Sequence, residues 1–227
     1  MARRTTTVEV RRTERLTPHM VRVVFGGADV ATFPDTEHTD RYVKLQFPMP
    51  GVRYPEPFAV GRIRAELPRE QRPSTRTYTV RALDHATGEL TVDFVHHGDE
   101  GLAGPWAAAA RPGDLLRVTG PGGAYAPDPT VDAHLMVGDE SALPAIGAAC
   151  ERVAPGVPVL ALLEVGGEQE HQAGIRTPDD LLCPIRRPHH GRPCPGSRYS
   201  GNGRTRSSAR RRRGGRSRTA QCGATAQ

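Results

Sequence analysis

The sequence predicts a β plus α/β fold: an antiparallel Greek-key β-barrel over residues 1–128, an incomplete α/β domain over 129–166, and a disordered tail over 167–227. Three observations carry this. Short alternating strands follow one another between Gly, Pro and Asp through the first half of the chain, as in antiparallel barrels and sandwiches. After Pro127-Asp128-Pro129, where Pro favours an extended path, the strands become wholly apolar and enclose a helical run. From Gly166 onward apolar residues are scarce, and the chain cannot bury enough apolar surface to offset the entropy of ordering it.

The first region contains candidate strands at 8–12, 20–25, 42–47, 76–81, 89–96 and 114–119. Their β-branched and aromatic residues suit a pleated, half-buried surface. The interval 48–74 is rich in Pro and charge and reads as a surface loop. Gly120-Pro121-Gly122-Gly123 reads as a tight turn that needs no further role. In the second region, residues 134–137 and 157–165 are apolar strands around a helix at 142–153, one βαβ unit of a parallel sheet. Two strands cannot hide their edges or build a core, yet the composition after 165 offers no more.

The chain has 227 residues, room for one large or two small domains. Its net charge of +6 is unevenly placed: residues 1–166 hold 18 basic and 21 acidic side chains, whereas 167–227 hold 13 Arg against Glu168, Glu170, Asp179 and Asp180. Only the tail has the charge of a polyanion binder. It carries Tyr199 as its one aromatic residue, so bases would lack stacking partners, and nucleic acid is not an expected partner. No apolar run is long enough to span a bilayer, and Met1-Ala2-Arg3-Arg4 leads into a charged strand, so no membrane association and a cytoplasmic location are expected. The four cysteines fit neither a disulfide framework nor a paired metal spacing. Cys183 and Cys194 flank His189 and His190, but at spacings that match no compact zinc site, and no metal is expected.

Three segments carry chemistry. Arg76-Thr77-Tyr78-Thr79-Val80-Arg81 is a strand whose period of two sends Arg76 and Tyr78 to one side and Thr77, Thr79 and Arg81 to the other. Cationic and hydrogen-bonding groups along both sides suit an elongated, doubly charged ligand such as a flavin dinucleotide. His97-Gly98-Asp99-Glu100-Gly101-Leu102-Ala103 joins a strand to an Ala-rich helix, where backbone N–H groups and the helix terminus favour a pyrophosphate. Gly138-Asp139-Glu140-Ser141 breaks an apolar strand and opens a helix, a junction able to hold a nicotinamide or its phosphates.

Taken in this order, the three segments resemble the siderophore-interacting proteins, a branch of the ferredoxin-reductase-like flavoproteins that reduce ferric siderophores. The resemblance covers roughly the first three quarters of the chain. It implies FAD as cofactor, NADPH or NADH as electron donor, a ferric siderophore as substrate, and a monomer. By the same resemblance the first region is an FAD-binding barrel and the second an NAD(P)H-binding domain. Arg76 would pair with the FAD pyrophosphate, with Thr77 beside it and Arg81 as a second phosphate partner. Tyr78 would pack on the isoalloxazine or ribityl chain, and Thr79, the candidate catalytic group, would offer a hydrogen bond near flavin N5. His97, Gly98, Gly101 and Ala103 would form the pyrophosphate turn, and Asp139, Glu140 and Ser141 the nicotinamide-side turn. Trp106 is expected to pack its helix rather than stack on flavin.

The sequence departs from the family pattern at Leu102, where Pro is common, at Ser141, where Thr is common, and most of all after Val165. Lys44 is the single lysine beside many arginines, which suggests GC-rich coding DNA, and a reading-frame shift between about 165 and 172 is expected. Such a chain would keep its flavin contacts and use NAD(P)H poorly. Two other readings stay open: a related flavoprotein with a different electron acceptor, and a binder of nucleic acid or an acidic partner through the Arg-rich tail.

Overall fold

The computed structural model describes residues 5–170, 172, 175, 182–186 and 221–224, the last two segments as backbone. Seven antiparallel strands form the first sheet: β1 (Thr5–Thr17), β2 (Met20–Gly26), β3 (Tyr42–Phe47), β4 (Ser74–Thr79), β5 (Ala82–Asp84), β6 (Glu89–Val95) and β7 (Leu115–Gly122). Their spatial order is β4-β3-β7-β1-β2-β6-β5. Alternate residues point to one core: Val8 and Val10, Val23 and Phe25, Val43 and Leu45, Val92 and Phe94, Leu116 and Val118. Two short helices, α1 (Val60–Glu66) and α2 (Ala103–Ala109), lie between strands. Helix α2 buries Ala103 and Ala107 and brings the Trp106 ring against Phe25, Phe47 and Phe94, so the tryptophan packs its helix.

The structure corrects the barrel expectation: the sheet is open. Its end strands β4 and β5 share no ladder, for a backbone reason that also makes the site below. Within the expected loop 48–74, α1 forms around a single fully buried anchor, Ile63; one apolar residue in a charged stretch leaves no periodic signal. The residues Gly120, Pro121 and Gly122 belong to β7 and not to a turn. Gly122 pairs with Tyr42, and a Cβ at Gly122 would overlap the Tyr42 ring.

The second sheet is parallel. β8 (His134–Asp139) pairs with β9 (Val159–Val165), and α3 (Leu143–Cys150) connects them across one face. Met136, Ala161 and Leu163 meet Leu143, Ile146 and Cys150 of the helix. Burial beside Met136 pushes the Cys150 thiol up to about 11, so it packs as an inert hydrophobe. This cluster also includes Met20 from the first sheet, with Leu16, Val95 and Tyr125 against it, which packs the two regions together. No strand was expected after 165, yet the backbone of β10 (Leu182–Arg186) lies parallel beside β9, and that of β11 (Gln221–Ala224) beside β8. Most of the expected tail, 167–227, including the zinc candidates Cys194, His189 and His190, lies outside the described residues.

Candidate functional site

The open edge of the first sheet is set by two backbone hydrogen bonds. Val80 N–H donates to Arg41 O at 2.8 Å, on the β3 side, and Arg81 N–H donates to Thr91 O at 2.9 Å, on the β6 side. Within one residue the chain leaves one neighbour for the other. Strand β5 then pairs with β6 only from Glu89 to Thr91, so the stretch of β6 from Asp93 to Val95 faces β4 with no ladder between them. A cavity of about 310 Å³ fills the gap. Strand β4 supplies Arg76, Thr77, Tyr78 and Thr79 to its wall, β6 supplies Asp93 and Val95, and the entry to α3 supplies Ser141 and Pro144.

Each group has a defined setting. The Tyr78 ring is half-buried, 4.4 Å from the Phe94 ring; burial pushes its phenol above the ordinary value while Arg76 opposes the shift, so the hydroxyl stays protonated at neutral pH. Arg76 is exposed, and its guanidinium donates to the Thr75 carbonyl at 3.0 Å. Thr77 is exposed and Thr79 is buried beside the turn at Val80. Asp93 is buried and held by Arg22, whose Nε and second guanidinium nitrogen donate at 2.7 and 2.8 Å.

The nicotinamide-side candidates divide. Asp139 Oδ1 accepts from the Ser141 N–H at 2.9 Å, the Ser141 hydroxyl at 2.7 Å and the Ala142 N–H at 3.3 Å, so its carboxylate braces the turn into α3. Ser141 is left exposed at the cavity, whereas Glu140 is buried and does not line it. Arg81 does not line the cavity. Its guanidinium forks onto Glu151 at 3.0 and 2.5 Å, tying the first sheet to the end of α3.

The residues His97, Gly98 and Gly101 form an exposed turn after β6, in which both glycines take left-handed backbone angles that other residues resist. The His97 ring lies 5.5 Å from that of His19, while Ala103 is buried in the first core; none of these four lines the cavity. Gly104 is required by close approach, since a Cβ there would sit 2.7 Å from Val95 O. The structure therefore brings Arg76, Thr77, Tyr78, Thr79 and Ser141 together. Sequence reasoning missed Asp93, Val95 and Pro144. A carboxylate between Val92 and Phe94 was the available signal for the first, because a charge among buried strand residues needs a partner.

A cavity of this size has room for a ring system and not for a whole dinucleotide. Its aromatic wall, its threonines and the outward-facing Arg76 fit the isoalloxazine end of FAD with a phosphate beyond it. Residues 9–125 match the family described as the siderophore-interacting FAD-binding domain, and residues 131–190 match the siderophore-interacting protein family. The chain belongs to the siderophore-interacting proteins.

Relatives of this siderophore-interacting chain agree. It is 48% identical over 174 residues to an uncharacterised protein of Mycobacterium tuberculosis, an alignment covering 75% of this chain and 61% of that one, so it spans about three fifths of that relative's length. Ferric vibriobactin reductase ViuB of Vibrio cholerae is 32% identical, with 80% of this chain and 67% of that protein covered. The NADPH-dependent ferric-chelate reductase of Escherichia coli is 36% identical over 137 residues, covering 60% of this chain and 52% of that one. Among solved structures, a siderophore utilization protein from T. fusca matches with a TM-score of 0.69 and 34% identity, over 84% of this chain and 71% of that one. A ferredoxin reductase of carbazole 1,9a-dioxygenase, 14% identical with a TM-score of 0.55 over 81% of this chain and 50% of that one, shares the ferredoxin-reductase-like fold. Among the described residues no helix is long and apolar enough to cross a membrane, and no group of three or more His, Cys, Asp or Glu residues is placed to hold a metal ion.

Proposed function

We propose that this siderophore-interacting flavoprotein reduces ferric siderophores with electrons from NADPH or NADH, passed through FAD. The observation that carries the proposal is the cavity bounded by the edge of β4 on one side and the entry to α3 on the other. FAD, when bound, would link a two-electron donor to a one-electron acceptor. Arg76 would hold its pyrophosphate by a charge-assisted pair, and Tyr78 and Val95 would cover the ring and exclude water. Thr79 would place a hydroxyl at the reacting edge, and Ser141 with Pro144 would bound the donor side. Hard oxygen donors bind Fe(III) more tightly than Fe(II), so one-electron reduction loosens the iron without an acid or base at the metal.

The chain's altered C-terminal composition supports the further proposal that flavin binding is kept while use of NAD(P)H is weak. The reductases named among the relatives support this reaction class. Purified protein titrated with FAD should turn yellow and retain the flavin through gel filtration. Photoreduced protein should reoxidise faster with a ferric siderophore than with a small protein electron carrier; the reverse order would support the other-acceptor reading. Protein that stays colourless with added FAD would rule out the flavin site.

A further inference from the structure

One wall of the cavity carries a buried charge that the reaction above does not use. The Asp93 side chain is 1% exposed. Arg22 lies directly opposite it on β2 and forks onto both of its oxygens. Strand β2 occupies one edge of β6, whereas the other edge, beyond the last β5 pair at Thr91, is the open one facing β4. With Val92 and Phe94 turned into the first core, the period of two puts Asp93 on the opposite face with Val95, where Arg22 holds its carboxylate and both residues line the cavity. A carboxylate only accepts hydrogen bonds, and after the two from Arg22 its oxygens keep spare lone pairs. Across the cavity the cationic group is Arg76, which is exposed and screened by water.

We propose that Asp93 is a potential-setting residue of the flavin site: its negative end, held in place by Arg22, opposes the build-up of negative charge on the ring and keeps bound FAD a stronger reductant than free FAD. This rests on the flavin reading of the cavity. Two electrons added to FAD with fewer than two protons leave negative charge on the ring, and a fixed carboxylate at low dielectric penalises that form more than the oxidised one. The penalty appears as weaker binding of reduced FAD relative to oxidised FAD. For a two-electron couple each tenfold change in that ratio equals about 30 mV.

The test measures the affinity of the protein for oxidised FAD, and the reduction potential of the bound flavin against reference dyes, in the parent and two variants. Asp93→Asn keeps shape and removes charge, and should raise the potential by about 30 mV or more, a tenfold relative gain for the reduced form. Arg22→Lys keeps the cation but loses the fork, leaves the carboxylate less neutralised, and should lower the potential. If Asp93→Asn does not fold, the Arg22→Lys shift alone decides. Unchanged potentials in variants that still bind FAD overturn the role of Asp93. A parent protein that binds no FAD fails at the earlier step, so the two failures are distinguishable.

Discussion

Replacing Glu170 by alanine removes the acceptor of three hydrogen bonds at the junction of the two sheets. The Glu170 side chain is 2% exposed; it accepts from the Thr17 hydroxyl at 2.6 Å, from His19 Nδ1 at 2.6 Å and from the His19 backbone N–H at 3.3 Å. The long bond counts for little. The His19 ring is 42% exposed, so water replaces part of its loss. Thr17 is 5% exposed, and its hydroxyl loses an acceptor in a place that water reaches poorly. A buried donor left unsatisfied costs about 1–3 kcal/mol, and a bond to a charged acceptor contributes about 1.5–3 kcal/mol, so Glu170→Ala should destabilise by roughly 2–4 kcal/mol. Urea unfolding of the parent, Glu170→Ala, Thr17→Val and the double variant measures this, with the cycle isolating the Thr17 contact. Amide exchange at Thr17 to Met20 should quicken in step. A change within about 0.5 kcal/mol, with unaltered exchange at that hairpin, would show that the contact does not join the two regions.

Arg76→Ala should weaken FAD binding by roughly 10- to 100-fold, the loss of one charge-assisted contact at an exposed site, as read by fluorescence titration; unchanged affinity would place the phosphate elsewhere. Gly104→Ala drives a methyl against backbone at Val95 and His96, which cannot move aside as a side chain would. It should cost about 1–3 kcal/mol in thermal unfolding and disturb the turn from His97 to Gly101. Burial holds His134 below its ordinary pKa of 6.5, with Asp128 opposing, and its Nδ1 has no hydrogen-bond partner among the described residues. The unfolded chain therefore takes up the proton at higher pH than the folded one: the contribution to stability is whole above 6.5 and is lost as pH falls through the depressed folded value. His134→Leu should flatten the fall in melting temperature between about pH 7 and 5; an equally steep profile in both proteins would assign the acid sensitivity to other groups.

The strands were legible because alternation of apolar and polar residues is a local property, and Val8, Val10, Val23, Phe25, Val92 and Phe94 alternate without interruption by Pro. The entry to α3 was legible for a similar reason, since Gly138 and Ser141 act on the backbone within a few residues. The character of the Arg76 to Thr79 edge could also be read, because a strand's period decides which groups stand together. Helix α1 could not, since Ile63 is its one buried residue and a single apolar position leaves no helical period to read.

What only tertiary structure decided concerns partners. The gap that replaces barrel closure depends on where two adjacent N–H groups, at Val80 and Arg81, find acceptors: Arg41 and Thr91. Arg81 reads as a phosphate ligand in sequence, yet Glu151, seventy positions on, takes its guanidinium. Asp139 reads as a ligand group and spends its oxygen on the turn that presents Ser141. The sequence by itself determined which chemical groups line each strand and which family the chain resembles, because periodicity and short motifs act locally. It could not determine which charges are already answered within the protein, as those of Arg81, Asp93 and Asp139 are, because ion pairs and hydrogen bonds form between residues that only folding brings together.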